Sequence, residues 1–116
     1  MVEKTDYCGL VSGKDVDKAT LFRTFYGKLK TAPMIEECPL NAECSLANHI
    51  ESATHDLFIG EVVTTYCDKE VLEGNSVNLA KLDPILLSMS DRTYVRVSER
   101  IANAFEVGKK VGPTAA

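Results

Sequence analysis

The chain has 116 residues, 45% of them hydrophobic and 26% charged, enough for one modest core and far from a disordered or fibrous composition. Its net charge of -4, with no Lys/Arg run longer than Lys109-Lys110, excludes the basic patch that neutralises nucleic-acid phosphates. No segment approaches the roughly 18 consecutive apolar residues of a membrane span, and MVEKTDYCGL has no apolar signal core, so no membrane partner and a cytoplasmic location are expected.

In chain order, the first predicted element is a helix that follows Ser12-Gly13-Lys14-Asp15. Ser12 or Asp15 can cap its exposed N–H groups, and Asp15 and Asp17 suit the positive end of its dipole. Ala19, Phe22, Tyr26 and Leu29 recur at steps of three and four, and Pro33 stops the helix at Ala32. From Leu40 the period becomes two: Leu40, Ala42, Cys44, Leu46 and Ile50 form the expected inward face, and Asn41, Glu43, Ser45, His49 and Glu51 the solvent face, blurred only at Ala47 and Asn48. The run Thr54 to Cys67, rich in β-branched and aromatic residues, predicts a central strand paired antiparallel with the first across the short Ser52-Ala53-Thr54 link. Its Gly60 marks a bulge or a close backbone approach.

Glu73-Gly74-Asn75 reads as a turn, and Leu82-Asp83-Pro84 leads into the apolar run Ile85 to Met89. A strand is expected at Thr93 to Val97, with Tyr94 and Arg96 on one side of it. Ser98 is placed to cap a last helix carrying Ile101, Ala104 and Phe105, and residues 111–116 read as a tail. Consecutive strands flanked by helices favour an antiparallel sheet or partial barrel over a doubly wound fold, giving a mainly β class with flanking helices. Cys8, Cys38, Cys44 and Cys67 include no CxxC pair, and His49 and His55 complete no zinc-ligand spacing, so free thiols and no metal are expected.

Read together, Asp6-Tyr7-Cys8-Gly9 with Ser12-Gly13 and Asp17-Lys18, then Ala32-Pro33-Met34-Ile35-Glu36-Glu37-Cys38-Pro39-Leu40-Asn41, then His55-Asp56-Leu57-Phe58-Ile59-Gly60-Glu61-Val62, resemble successive blocks of the flavin reductase-like, flavoredoxin-type family. Leu82-Asp83-Pro84 and Tyr94-Val95-Arg96 resemble its closing blocks, in the expected order. The resemblance implies an FMN-binding split β-barrel, usually a homodimer with flavin near the subunit interface. The resemblance further implies exchange of hydride or electrons with NAD(P)H or a redox partner protein. In the family, polypeptide ahead of the Asp6-Tyr7-Cys8-Gly9 block supplies several barrel strands and much of the flavin contact surface. Here that block begins almost at Met1, so residues 1–110 are expected to form a truncated, partial barrel. Unpaired strand edges in such a barrel recruit other chains, so self-association is expected. Ser98 and Ala102 stand where the family usually has glycines.

The candidate cofactor residues each carry two readings. Ser12, Gly13 and Lys14, joined by Asp17 and Lys18, offer N–H groups, a hydroxyl and ammonium groups to a phosphate, or form an ordinary capped helix start. His55 suits a nicotinamide contact or proton relay, or a surface turn. Tyr94 and Arg96 suit a ring or a phosphate, or a cross-strand aromatic beside a solvated ion pair. Because the flavin carries the chemistry in such proteins, no acid/base dyad or nucleophile is expected. Two functions compete: an NAD(P)H:flavin oxidoreductase-like electron-transfer protein, and a non-catalytic remnant or interaction module of the same fold.

Overall fold

The computed structural model describes residues 1–97 and 99–112. Helix α1 (Val2–Leu10) is followed by a 3-10 turn at Lys18–Leu21 and the strands β1 (Thr24–Tyr26), β2 (Pro33–Ile35), β3 (Leu40–Ile50) and β4 (Leu57–Cys67). Then come β5 (Leu72–Glu73), β6 (Ser76–Val77), the short helix α2 (Leu79–Leu82), β7 (Ile85–Ser88) and β8 (Thr93–Arg96), with a 3-10 turn at Val107–Lys110. Among the described residues each strand pairs antiparallel with its chain neighbour, giving four two-stranded hairpins. The class is mainly β, as the composition of the strand segments leads one to expect.

Two helices expected from the sequence are absent. Over residues 15–32 the apolar spacing is overridden by local chemistry: Asp17 caps a single 3-10 turn by accepting from the Ala19 N–H at 3.0 Å, and the chain then extends. Thr24, Phe25 and Tyr26 favour a pleated surface, and they pair with Ile35, Met34 and Pro33. The proline that was to end a helix instead opens a strand, a place where its missing N–H costs nothing. Near the C-terminus, Ile101 and Phe105 are 94% exposed and residues 99–106 form no helix; Ser98, the expected cap, lies outside the described residues. Conversely α1 was not expected, because no side chain caps it and Gly9 interrupts its last turn.

The long hairpin β3–β4 dominates the chain, and its polarity is the reverse of the expected one. Glu43 is fully buried, and Asn41 and Ser45 are half-buried, whereas Ala42, Cys44 and Leu46 are exposed. On β4 the covered residues are Thr64 and Tyr66, which lie opposite Glu43 and Asn41. The polar face is covered because the loop after β1 folds over it. The Glu43 carboxylate accepts N–H bonds from Lys28 and Leu29, each at 3.0 Å, and a longer one from the Tyr66 hydroxyl at 3.4 Å. Asn41 acts as a false strand neighbour to β2: its side chain accepts from the Ile35 N–H and donates to the Ile35 and Cys38 carbonyls. Gly27 is required for this closure, since a β-carbon there would lie 2.7 Å from the Glu43 carboxyl.

β4 was expected to be central. Among the described residues it pairs only with β3, and the outer edges of both strands lack strand partners. Gly60 does mark a close approach: a β-carbon on it would come 2.9 Å from that of Cys44. The register shifts twice, between Glu43 and Cys44 and between Leu46 and Asn48. Ala47, where the alternation blurred, is the residue left without a partner at the second shift. The expected turn at Glu73-Gly74-Asn75 closes β5–β6, with Gly74 at φ 60.

Met34 and Val71 are the buried apolar side chains among the described residues. The radius of gyration is 18.2 Å, against about 13 Å for a compact chain of this length. The accessible surface is 9781 Å², roughly half as much again as a folded monomer of this mass exposes.

Burial works to raise the Glu43 pKa, but the Leu29, Lys28, Tyr66 and Gly27 hydrogen bonds together outweigh it, and the carboxyl sits below its ordinary 4.5. A carboxylate depressed in the folded state stabilises fully above its unfolded value, and the contribution is lost as pH falls through the folded one. Stability should therefore decline as pH drops below about 4.5, and thermal melts of Glu43→Gln should show a shallower decline over the same window together with a lower Tm at pH 7. Gly27→Ala should lower the Tm by roughly 5 °C or more, because the loop over Glu43 must open to admit a methyl group. An unchanged melt would show that the loop does not depend on this contact.

Candidate functional site

Helix α1 holds two of the candidate residues, Lys18 and Tyr94, by hydrogen bonds. Its Cys8 carbonyl accepts from the Lys18 ammonium at 2.6 Å, and its Asp6 carboxylate accepts from the Tyr94 hydroxyl at 3.1 Å, joining segments 88 residues apart. Lys4 on the same helix reaches the Leu21 carbonyl at 2.6 Å, lies 3.6 Å from the Glu37 carboxylate and sits 5.1 Å above the Phe22 ring. Glu37 is held below the ordinary carboxylate value, first by its own backbone N–H and then by the Arg23 N–H and the Lys4 and Arg23 charges, against the opposing effect of burial. The helix thus links the Lys18 turn to β8.

Beside it, Tyr94, Arg96, Val95, Ile85, Asp83 and Val2 line a cavity of about 340 Å³. Arg96 donates from Nε to Asp83 at 3.1 Å, which leaves the outer nitrogens of its guanidinium available for an anion. Asp83 holds this place from the end of α2 in the left-handed region, φ 49, a conformation that aspartate tolerates better than most residues. The Tyr94 phenol is pushed above its ordinary value of 10.0, first by burial and then by the Asp6 hydrogen bond and charge, so it remains a protonated donor. An aromatic ring, a free guanidinium edge and apolar walls are the donor set that a ring-plus-phosphate ligand requires, so the residues fit a flavin nucleotide in kind.

The other candidates are placed differently from the sequence expectation. Ser12, Gly13 and Lys14 precede a turn rather than a helix, and the Lys14 N–H already donates to Ser12 Oγ at 3.2 Å. Asp17 is spent on the Ala19 N–H. His55 lies in the β3–β4 connection with Nδ1 3.0 Å from Thr54 Oγ1, and among the described residues no hydrogen bond or ion pair joins it to α1 or β8. The histidine with a built environment is His49, stacked on Phe58 at 4.5 Å between centroids and 3.3 Å from Asp56. Sequence reasoning missed Asp6 and Asp83, the carboxylates that orient Tyr94 and Arg96. Neither lies at a spacing that announces the pairing.

A second cleft, of about 350 Å³, opens at the base of the long hairpin between Phe25, Cys38, Pro39, Tyr66, Cys67 and Asp68. Phe25 meets Tyr66 edge to face at 6.0 Å. The four cysteines are free, and burial followed by the Glu37 charge raises the Cys38 pKa, which keeps that thiol protonated and poorly nucleophilic. No helix among the described residues is long and apolar enough to cross a membrane.

Comparison with known proteins places this architecture. Among curated proteins there is no match. The structure superposes on flavoredoxin from Methanosarcina acetivorans with a TM-score of 0.91 and 46% identity, covering 97% of this chain and 60% of that one. Flavoredoxin of Desulfovibrio vulgaris (Miyazaki F) gives 0.82 and 32%, with 92% and 58% covered. Nitrilotriacetate monooxygenase component B from Bacillus cereus shares the fold at a TM-score of 0.62 and 21% identity, over 74% of this chain and 46% of that one. The chain therefore spans about three fifths of the flavoredoxins it matches, and its mainly β hairpins form part of their larger fold, consistent with a truncated barrel. The family model described as "Flavin reductase like domain" matches residues 1–98, and the chain belongs to that family.

Proposed function

We propose that this chain is part of an FMN-binding oxidoreductase or electron-transfer protein, acting as a homodimer with NAD(P)H or a redox protein as donor. The observation that carries the reading is the family match over residues 1–98, which includes the β8 segment bearing Tyr94 and Arg96. Bound flavin would supply the hydride and single-electron chemistry at its ring system. The polypeptide has the tasks of binding and orientation. Arg96, steadied by Asp83, keeps donors free for a phosphate or a flavin carbonyl oxygen. Tyr94, protonated and oriented by Asp6, offers a ring face and a fixed hydroxyl. Ser12, Gly13, Lys14, Asp17 and Lys18 are proposed for the phosphate side and His55 for the nicotinamide side.

A second reading, a non-catalytic interaction module, draws support from the engaged state of the cations. Lys18 is bound to the Cys8 carbonyl, and Arg96 to Asp83, with no cofactor required to hold either.

Titration of the purified protein with FMN, followed by flavin fluorescence and the visible spectrum, separates the two. The first reading expects quenching and a yellow protein, and expects Lys18→Ala and Arg96→Ala each to weaken FMN binding about tenfold, the usual scale for one charge-assisted hydrogen bond. Unchanged affinity on either substitution removes that residue from the site. A colourless protein that leaves FMN fluorescence unaltered establishes the second reading.

A further inference from the structure

Helix α1 and the residue before it meet the candidate flavin residues at three points. Met1 and Val2 wall the cavity of about 340 Å³ that holds Tyr94 and Arg96. Asp6 takes the one proton that the Tyr94 hydroxyl has to give, at 3.1 Å, so that hydroxyl cannot donate to a ligand as well. The Cys8 carbonyl, one of the last four in the helix, where carbonyls lack intrahelical partners, takes the Lys18 ammonium at 2.6 Å. α1 has no basic residue in its own last turn, and Lys18 supplies the cation that its negative end favours.

The same helix has little of its own to hold it. None of its side chains is buried among the described residues, Tyr7 is 41% and Leu10 75% exposed, and no side chain caps it. Its 9 residues are fewer than the roughly 12 that an isolated helix needs to persist in water. Lys4 adds a bond to the Leu21 carbonyl at 2.6 Å and stands 3.6 Å from Glu37. Polar contacts, two of them to candidate ligand residues, therefore keep α1 in place.

We propose that α1 is a displaceable, autoinhibitory strap over the candidate site: FMN draws Lys18 to its phosphate and displaces the helix, and the docked helix weakens FMN binding. The inference rests on the flavin reading and adds a regulation to it. The two occupants compete for one cation, and a phosphate beside Lys18 also faces the negative end of the helix. By linkage the competition is reciprocal, so the factor by which FMN disfavours the docked helix is the factor by which the helix disfavours FMN. Arg96, whose partner Asp83 stands at the end of α2, is outside this exchange and remains for the ligand in either state.

Hydrogen exchange and FMN titration by flavin fluorescence test this together. Saturating FMN should speed exchange of the amides of Thr5 to Val11 about tenfold and leave those of Leu57 to Val63 on β4 unchanged. Tyr7→Pro breaks the helix at a residue outside the candidate site, and should bind FMN about tenfold more tightly than the unmodified chain. Exchange in β4 checks that the variant keeps its fold; if it does not, the measurement on the unmodified chain decides alone. FMN binding that slows the α1 amides, or leaves them unchanged, overturns the strap while the flavin reading stands. Equal or weaker FMN affinity in a folded Tyr7→Pro does the same. Failure of both chains to bind FMN removes the flavin reading, and the strap falls with it.

Discussion

A single buried carboxylate holds the chain's parts in relation to one another. Glu43 projects from β3 into a loop that offers it two backbone N–H groups, and burial of a charge is tolerable only when such partners are in place. That loop fixes the end of β1, and β1 fixes Phe25 against Tyr66, so the cleft at the hairpin base inherits its shape from one ionised group. Asn41 makes the same kind of link two residues earlier, with an amide in place of a carboxylate. Directional polar bonds therefore define an arrangement that has almost no apolar core of its own, with Met34 and Val71 the buried apolar side chains among the described residues.

The strands were legible where β-branched and aromatic residues ran together, as in Leu57 to Tyr66 and Thr93 to Arg96, and the β5–β6 turn was legible from its glycine. Which face of β3 is buried was not. Alternation identifies two faces and is silent about which one the chain covers, and assigning the apolar face inward assumes that all its cover lies within the sequence at hand. Glu43 consequently read as a solvent residue. The missed helix and the two expected ones show spacing overruled by context: Thr24 to Tyr26 has a helical stripe but finds a strand partner in Pro33 to Ile35. For the candidate site, Tyr94 and Arg96 were legible as neighbours on one strand and do line one cavity. Their orienting carboxylates, Asp6 and Asp83, come from elements that only the tertiary fold brings close.

The family relationship and the surface describe one situation from two directions. The chain reproduces about three fifths of a flavoredoxin with high fidelity, and the surface it exposes exceeds that of a self-sufficient domain. The α1–β8 side, with its cavity of about 340 Å³, is internally tied by hydrogen bonds and an ion pair. The long hairpin projects without such ties on its apolar face. The two regions are thus structurally separate, and substitutions in one are expected to disturb the other little.

The two register shifts in the long hairpin are compensating. The first leaves Val63 unpaired on β4 and the second leaves Ala47 unpaired on β3, so the pairing slips by one residue from Cys44 to Leu46 and is then restored. Losing either extra residue alone would carry the slip to the end of the hairpin and turn His49, Phe58 and their neighbours over. Evolution can shorten this hairpin safely only in matched steps, so gaps near Ala47 and Val63 in related sequences are expected to occur together.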